Sequence, residues 1–243
     1  MKRLLGLILL MSSLMINAQS NSELLAHYEA YYNQMKKQGD VQGIINAMTH
    51  LNILAPSTAR KDTLAYLYMD QGMNMQAINT LEYNQSTAAL SVGTDSDIAV
   101  QVKALALKAL KQPQLAVPFF EEMFKRNPNP LVAYELAELN LQLKKTGEAE
   151  KHIIYGLANS KDDMKKAFFE TQTPYEVPLK AAFMYLNALN TYNKDTKANI
   201  DAAVDILDAA LKEAPNFNMI QITKNELLRQ KQIIQAQATQ PKN

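Results

Sequence analysis

The chain has 243 residues, 47% of them apolar, with 25 Lys and Arg against 24 Asp and Glu and no cysteine. The missing cysteine excludes a disulfide framework, a thiolate metal site and a cysteine nucleophile. The balanced charge, with no run of five like charges, argues against a nucleic-acid partner, whose footprint is a basic excess or stripe.

Gly is scarce at 7 residues and Pro moderate at 9, while Ala, Leu, Lys, Gln, Glu and Met dominate. These are strong helix formers, and β-branched residues nowhere gather into the alternating runs of strands, so an all-α chain is expected. Residues 1–20 read MKRLLGLILLMSSLMINAQS. Lys2 and Arg3 form a charged start, Leu4 to Met15 is apolar apart from Ser12 and Ser13, and Ala18 offers a small residue before Gln19. This is the three-part layout of a secretory signal over residues 1–18, cleaved after Ala18. Retention as an anchor is the alternative, but the apolar stretch falls short of the ~20 residues a span takes. A periplasmic or secreted protein is expected, with no stable membrane insertion after cleavage. Losing Lys2 and Arg3 leaves 23 basic against 24 acidic residues.

Residues 19–91 read as N-terminal helix pairs, with Gly39-Asp40 and Gln71-Gly72 at turns. Ser91 to Ser96 (SVGTDS) is a polar linker, and residues 97–163 hold the central pairs. Alanines recur in couples twelve apart: Ala65 and Ala77, Ala104 and Ala116, Ala137 and Ala149. Each second alanine is followed four residues on by Leu81, Phe120 or Ile153, and Ala116 and Ala149 are 33 apart. Pro56, Pro128 and Pro215 each close an apolar run. Two helices joined by a short turn approach to about 8–10 Å only where small side chains face each other. One alanine on each helix of a pair supplies that contact, the larger residue fills the groove to the next pair, and a following proline stops the helix. Residues 164–178, which carry Phe168, Phe169 and Tyr175, read as an irregular connector pinned by packing. Residues 179–235 hold a last pair, with Ala182 and Ala203 set 21 apart by a longer turn or longer helices. A final amphipathic helix from Phe217 to Gln235 carries Ile220, Leu227, Leu228, Ile233 and Ile234 and caps the array. The tail, residues 236–243, is expected to be disordered.

This pattern resembles the tetratricopeptide repeat, a helix–turn–helix unit of roughly 34 residues. Leu64-Ala65, Tyr68, Gly72, Ala77 and Leu81 fit one unit over residues 58–91. Ala104, Leu107, Ala116, Phe120, Met123 and Pro128 fit another over 97–130, and Leu136-Ala137, Ala149, Ile153 and Gly156 a third over 130–163. A weaker unit over 25–58 has Tyr32 and Ile44 where the small residues would stand, and the typical Trp is nowhere. The resemblance implies an α-solenoid of antiparallel helix pairs, a superhelix closed by a C-terminal capping helix.

Catalytic chemistry is not visible. His27, His50 and His152 have no metal-ligand spacing, and there is no Gly-rich phosphate loop or nucleophile elbow. Glu148 and His152, four apart on one helix, read as a solvated pair. The carboxylates Glu121-Glu122 and Asp162-Asp163 point different ways on a helix. Met69, Met73 and Met75 cluster near a turn and read as core filling, with a soft binding surface as the alternative. No catalytic residue, metal or cofactor is expected.

In the family, the first helices line a concave face that holds a peptide or partner helix. Carried onto this chain, that face is Asp62, Tyr66, Met69 and Asp70, then Gln101, Leu105 and Lys108, then Tyr134, Glu138, Leu141 and Gln142. The weaker first unit adds Glu29, Asn33, Lys36 and Lys37, of which the lysines echo residues that clamp a peptide carboxylate in some members. Together with the export signal, the resemblance implies a non-catalytic adaptor or scaffold of the cell envelope with a protein or peptide partner, monomeric or weakly self-associating. A structural subunit of a larger envelope complex is one alternative. An α-solenoid enzyme acting on cell-wall glycan is another, and it would need acids converging in a cleft.

Overall fold

The computed structural model describes residues 20–83 and 92–238. The expected signal segment, residues 84–91 and residues 239–243 lie outside that description. Among the described residues are eleven α-helices and one β-hairpin, in two compact units that divide after Tyr83. No helix among them is long and apolar enough to cross a membrane.

The first unit holds α1 (Asn21–Gln38), α2 (Val41–Leu54), α3 (Thr58–Asp70) and α4 (Asn74–Thr80). Ser20, Asp40 and Ser57 cap α1, α2 and α3 by accepting the amide N–H three residues on, and Glu23 returns a bond to Ser20 in a full capping box. Ile45, Met48, Leu51 and Leu64 form the core between α2 and α3. α4 stops after seven residues, so Leu81 sits at its C-cap rather than along a longer helix.

The second unit runs α5 (Asp97–Ala109), α6 (Pro113–Arg126), α7 (Pro130–Gln142), α8 (Thr146–Asn159), β1 (Lys165–Phe168), β2 (Tyr175–Pro178), α9 (Leu179–Lys194), α10 (Ile200–Glu213) and α11 (Asn218–Ala238). Ser96 and Asn129 cap α5 and α7, and Pro113 and Pro130 open α6 and α7 where a missing N–H does no harm. Consecutive helices pack as hairpins, and each hairpin packs on the next within the unit.

Four hairpin turns share one geometry. After α1, α3, α5 and α7 the chain enters the left-handed region at Gly39 (φ 71°), Gly72 (φ 71°), Lys111 (φ 57°) and Lys144 (φ 57°). At Lys111 the amide N–H reaches Lys108 O at 2.9 Å, and the next N–H, of Gln112, reaches back to Leu107 O at 3.0 Å. The other three turns repeat the pair of bonds. This double closure satisfies the last carbonyls of each first helix and reverses the chain.

The alanine register is observed. Ala65, Ala77, Ala104, Ala116, Ala137 and Ala149 are all 0% exposed, and Phe120 and Ile153 are 1% exposed. Ala182 and Ala203 are equally buried. Their wider spacing follows from a 16-residue α9 and a five-residue turn in which the Asp195 carboxylate accepts the N–H groups of Lys197 and Ala198. At Gly156 a side chain would run into the Phe183 ring, so the missing Cβ is what lets α8 and α9 close.

Two expectations are corrected. The segment 164–178 is not irregular: β1 and β2 pair antiparallel with Lys165 opposite Pro178 and Phe168 opposite Tyr175. Strand alternation turns Lys166, Phe168, Tyr175 and Val177 to the helices and leaves Lys165 and Glu176 outside, where they pair at 3.8 Å. At the other end, α11 continues to Ala238, past the expected start of the tail.

Candidate functional site

Of the first helices of the second unit, α7 and α9 line a cleft of about 510 Å³, and the α7 side of it is Tyr134, Glu138, Leu141 and Gln142. α9 adds Tyr185, Leu186, Leu189 and Asn193, the hairpin adds Phe168, Phe169 and Glu170, and α11 adds Met219. Tyr134 (1% exposed), Leu186 (2%) and Leu141 (8%) form an apolar floor, while Phe169, 73% exposed, stands at the rim.

The hairpin is fixed against the helices by an aromatic cluster. The Phe168 ring lies 4.6 Å from Phe217 and 5.9 Å from Tyr175, and Tyr185 lies 5.5 Å from Phe217. The Tyr175 hydroxyl donates to Glu170 and accepts the Met219 N–H at 3.3 Å, tying the hairpin to the start of α11. Burial and the Glu170 carboxylate push the Tyr175 hydroxyl up to about 12, so it stays a donor.

Beside the cleft lies a web of charge. Lys108 of α5 donates to Glu135 and, at 2.6 Å, to Glu138, both on α7. Lys166 of β1 donates to Glu135 at 2.8 Å and lies 4.6 Å from the centre of the Tyr134 ring. Burial opposes the Glu135 charge, but the two lysines outweigh it and hold its carboxyl below the usual range. Burial likewise opposes the Lys108 ammonium, and Glu135 and Glu138 outweigh that to hold its pKa above the usual value. Burial, with Glu138 and Glu135 nearby, holds the Tyr134 hydroxyl well above its ordinary value and therefore neutral.

The other candidate positions are scattered. Asp62 is 4% exposed and buried in the first unit, which removes it from any open face. Of its companions on α3, Tyr66 is 43% exposed, Met69 is half-buried and Asp70 is exposed. Met73, at the N-cap of α4, and Met75, in its first turn, both read as core, are exposed at 36% and 54%. On α5, Gln101 borders a smaller hollow with Asp97, Met123 and Arg126, and Leu105 is half-buried. On α1, Glu29 pairs with Arg60 at 3.3 Å, and Asn33, Lys36 and Lys37 are exposed. Glu148 pairs with Lys151 at 2.8 Å, while His152 packs edge-on against Phe124 and burial lowers its pKa.

The structure also brings in residues the repeat pattern does not mark: Glu135, Lys166, Phe168, Phe169, Glu170, Tyr185, Leu189 and Met219. α9 falls outside the twelve-residue alanine spacing, so its row could not be numbered. The available signal was Phe168-Phe169 itself, two adjacent aromatic side chains in an otherwise polar stretch.

No family model and no curated protein matches the chain. Solved structures do. One is YrrB, described as a TPR protein with an unusual peptide-binding site, with TM-score 0.62 and 14% identity over 86% of this chain and 100% of that one. A tetratricopeptide repeat protein from Parabacteroides merdae gives 0.59 and 15% over 84% and 72%. MamA gives 0.56 and 17% over 79% and 92%. At such identities the likeness concerns the fold.

Proposed function

Since the chain has the fold of the tetratricopeptide-repeat proteins, we propose that it is a non-catalytic adaptor that seats a segment of a partner protein in the cleft between α7, α9 and the hairpin. The carrying observation is the cleft: an apolar floor, an exposed aromatic rim at Phe169 and acidic edges at Glu138 and Glu170. Its size is that of a ligand pocket, which takes ≈ 300–1,000 Å³. The peptide-binding site attributed to YrrB supports a peptide as the occupant. Glu135 does not suit the acid role in glycan cleavage. A glycosidase acid needs a raised carboxyl pKa, and Lys108 and Lys166 hold that of Glu135 down. The charged, apolar and small-residue order of residues 1–18 supports export, and the partner is then a protein of the cell envelope.

The test is a selection of displayed random peptides on the full-length chain, followed by affinity measurements on the enriched peptides. Phe169→Ala, at an exposed rim, is expected to weaken them by about tenfold with an unchanged melting curve. Leu189→Asp is expected to abolish binding. Peptides that bind both variants as well as the unaltered chain would place the binding face elsewhere. Export is checked separately by cell fractionation and N-terminal sequencing, with Gln19 as the expected first residue.

A further inference from the structure

We infer that the cleft selects by charge as well as by shape, and that its occupant is a short segment carrying a large apolar side chain beside Lys or Arg. The inference rests on the cleft being a peptide site and adds the chemistry of the peptide.

Counting the polar groups leads there. Two cations stand near the cleft, and both are engaged. Lys108 is held by Glu135 and Glu138, and Lys166 by Glu135 and the face of Tyr134. Each ammonium is already neutralised by a carboxylate, so neither offers a partner an uncompensated positive charge. Three acids oppose these two lysines, so the set carries an excess of negative charge. The acids are also unevenly used. Glu135 binds a lysine through each oxygen. Glu138 gives one oxygen to Lys108, and Glu170 gives one to the Tyr175 hydroxyl and the Asn218 amide, the latter at 3.4 Å. Among the described residues the second oxygen of each carboxylate has no bond within the chain, and both residues border the cleft.

The two carboxylates stand on different walls, Glu138 on α7 and Glu170 just past β1, with Leu141, Leu186 and Leu189 between the walls. Each is held by the donor that uses its first oxygen. An aliphatic or aromatic side chain fits the apolar floor, and a neighbouring ammonium or guanidinium can bond either free oxygen. An acidic segment would meet a set with one carboxylate in excess and both lysines already paired, which is the repulsion by which interfaces reject wrong partners.

The experiment uses the full-length chain and two pools of fluorescein-labelled ten-residue peptides, read by fluorescence anisotropy. Both pools carry Leu, Ile, Phe or Met at the centre. One has Lys or Arg on either side of that position, and the other has Asp or Glu. The expected result is that the basic pool binds at least about tenfold tighter than the acidic pool, and that the gap shrinks as salt screens the charges. Glu170→Gln and Glu138→Gln should each weaken the basic pool several-fold, while Phe169→Ala should weaken both pools alike. Glu170→Gln keeps an amide oxygen that can accept from the Tyr175 hydroxyl and the Asn218 amide, so an unchanged melting curve shows that the variant reports on charge and not on a loosened hairpin. Equal binding of the two pools, preference for the acidic pool, or Gln variants that bind the basic pool unchanged would each overturn the inference. If the displayed peptides of the preceding test are neutral and apolar yet still depend on Phe169, the peptide site stands and its charge selectivity falls.

Discussion

Ala116 and Ala149 show how one side chain can set the spacing of a helix pair. Both are 0% exposed. Leu at either place must push α5 from α6, or α7 from α8, at a cost of about 1–3 kcal/mol. Chemical denaturation should show both variants less stable, and unchanged midpoints would count against the register. The residue scale also holds an acid sensitivity. The Glu135 carboxyl sits below its usual 4.5, so its stabilising contribution is complete above that pH and is lost as pH falls through the lower, folded-state value. Glu135→Gln should be less stable than the unaltered chain at neutral pH, and the difference should narrow as pH drops below 4.5. Melting curves from neutral to acid pH check both the sign and the window. The buried alanines were legible because small residues at a fixed interval have one packing use. Asp62 and Tyr134 were not, since position on a first helix does not tell how deep a polar side chain sits.

Among elements, the starts of the repeat units were the most readable: α3, α5 and α7 begin at Thr58, Asp97 and Pro130, where the units over 58–91, 97–130 and 130–163 begin. The hairpin was harder, because strands of four residues are too short for alternation to stand out from noise. The lead into α5 is tied by Arg126. Its guanidinium reaches Asp97 Oδ1 at 2.7 Å and the carbonyls of Asp95 at 3.0 Å, Val92 at 3.2 Å and Gly93 at 3.4 Å. Arg126→Ala releases these acceptors. Amide hydrogen exchange over the first turn of α5 should then quicken while exchange in α9 and α10 stays as it was. Uniform change across the second unit would mean that Arg126 supports the core rather than the turn.

At the scale of the molecule, one core cluster runs from Ala133 to Leu227 and lies within the second unit. Stacked repeats draw stability from their immediate neighbours. Residues 92–243 expressed alone should therefore fold, with helical circular dichroism and a cooperative melt, and a broad non-cooperative melt would refute this. The repeat class was legible from the spacing of alanines. The cleft was legible only on its α7 wall, because the hairpin and the long α9 interrupt the period from which the face was carried over.

The left-handed turns after α1, α3, α5 and α7 contain an unspent margin of heat tolerance. The first two use glycine there, and the last two hold Lys111 and Lys144 in the same conformation. A side chain in that region costs roughly 1–2 kcal/mol, offset in part by the greater freedom glycine has when unfolded. Lys111→Gly with Lys144→Gly should raise the melting temperature by about 2–4 °C for each kcal/mol recovered. Neither lysine borders the cleft, so the chain can be hardened against heat by copying its own earlier turns, with peptide affinity left as it was.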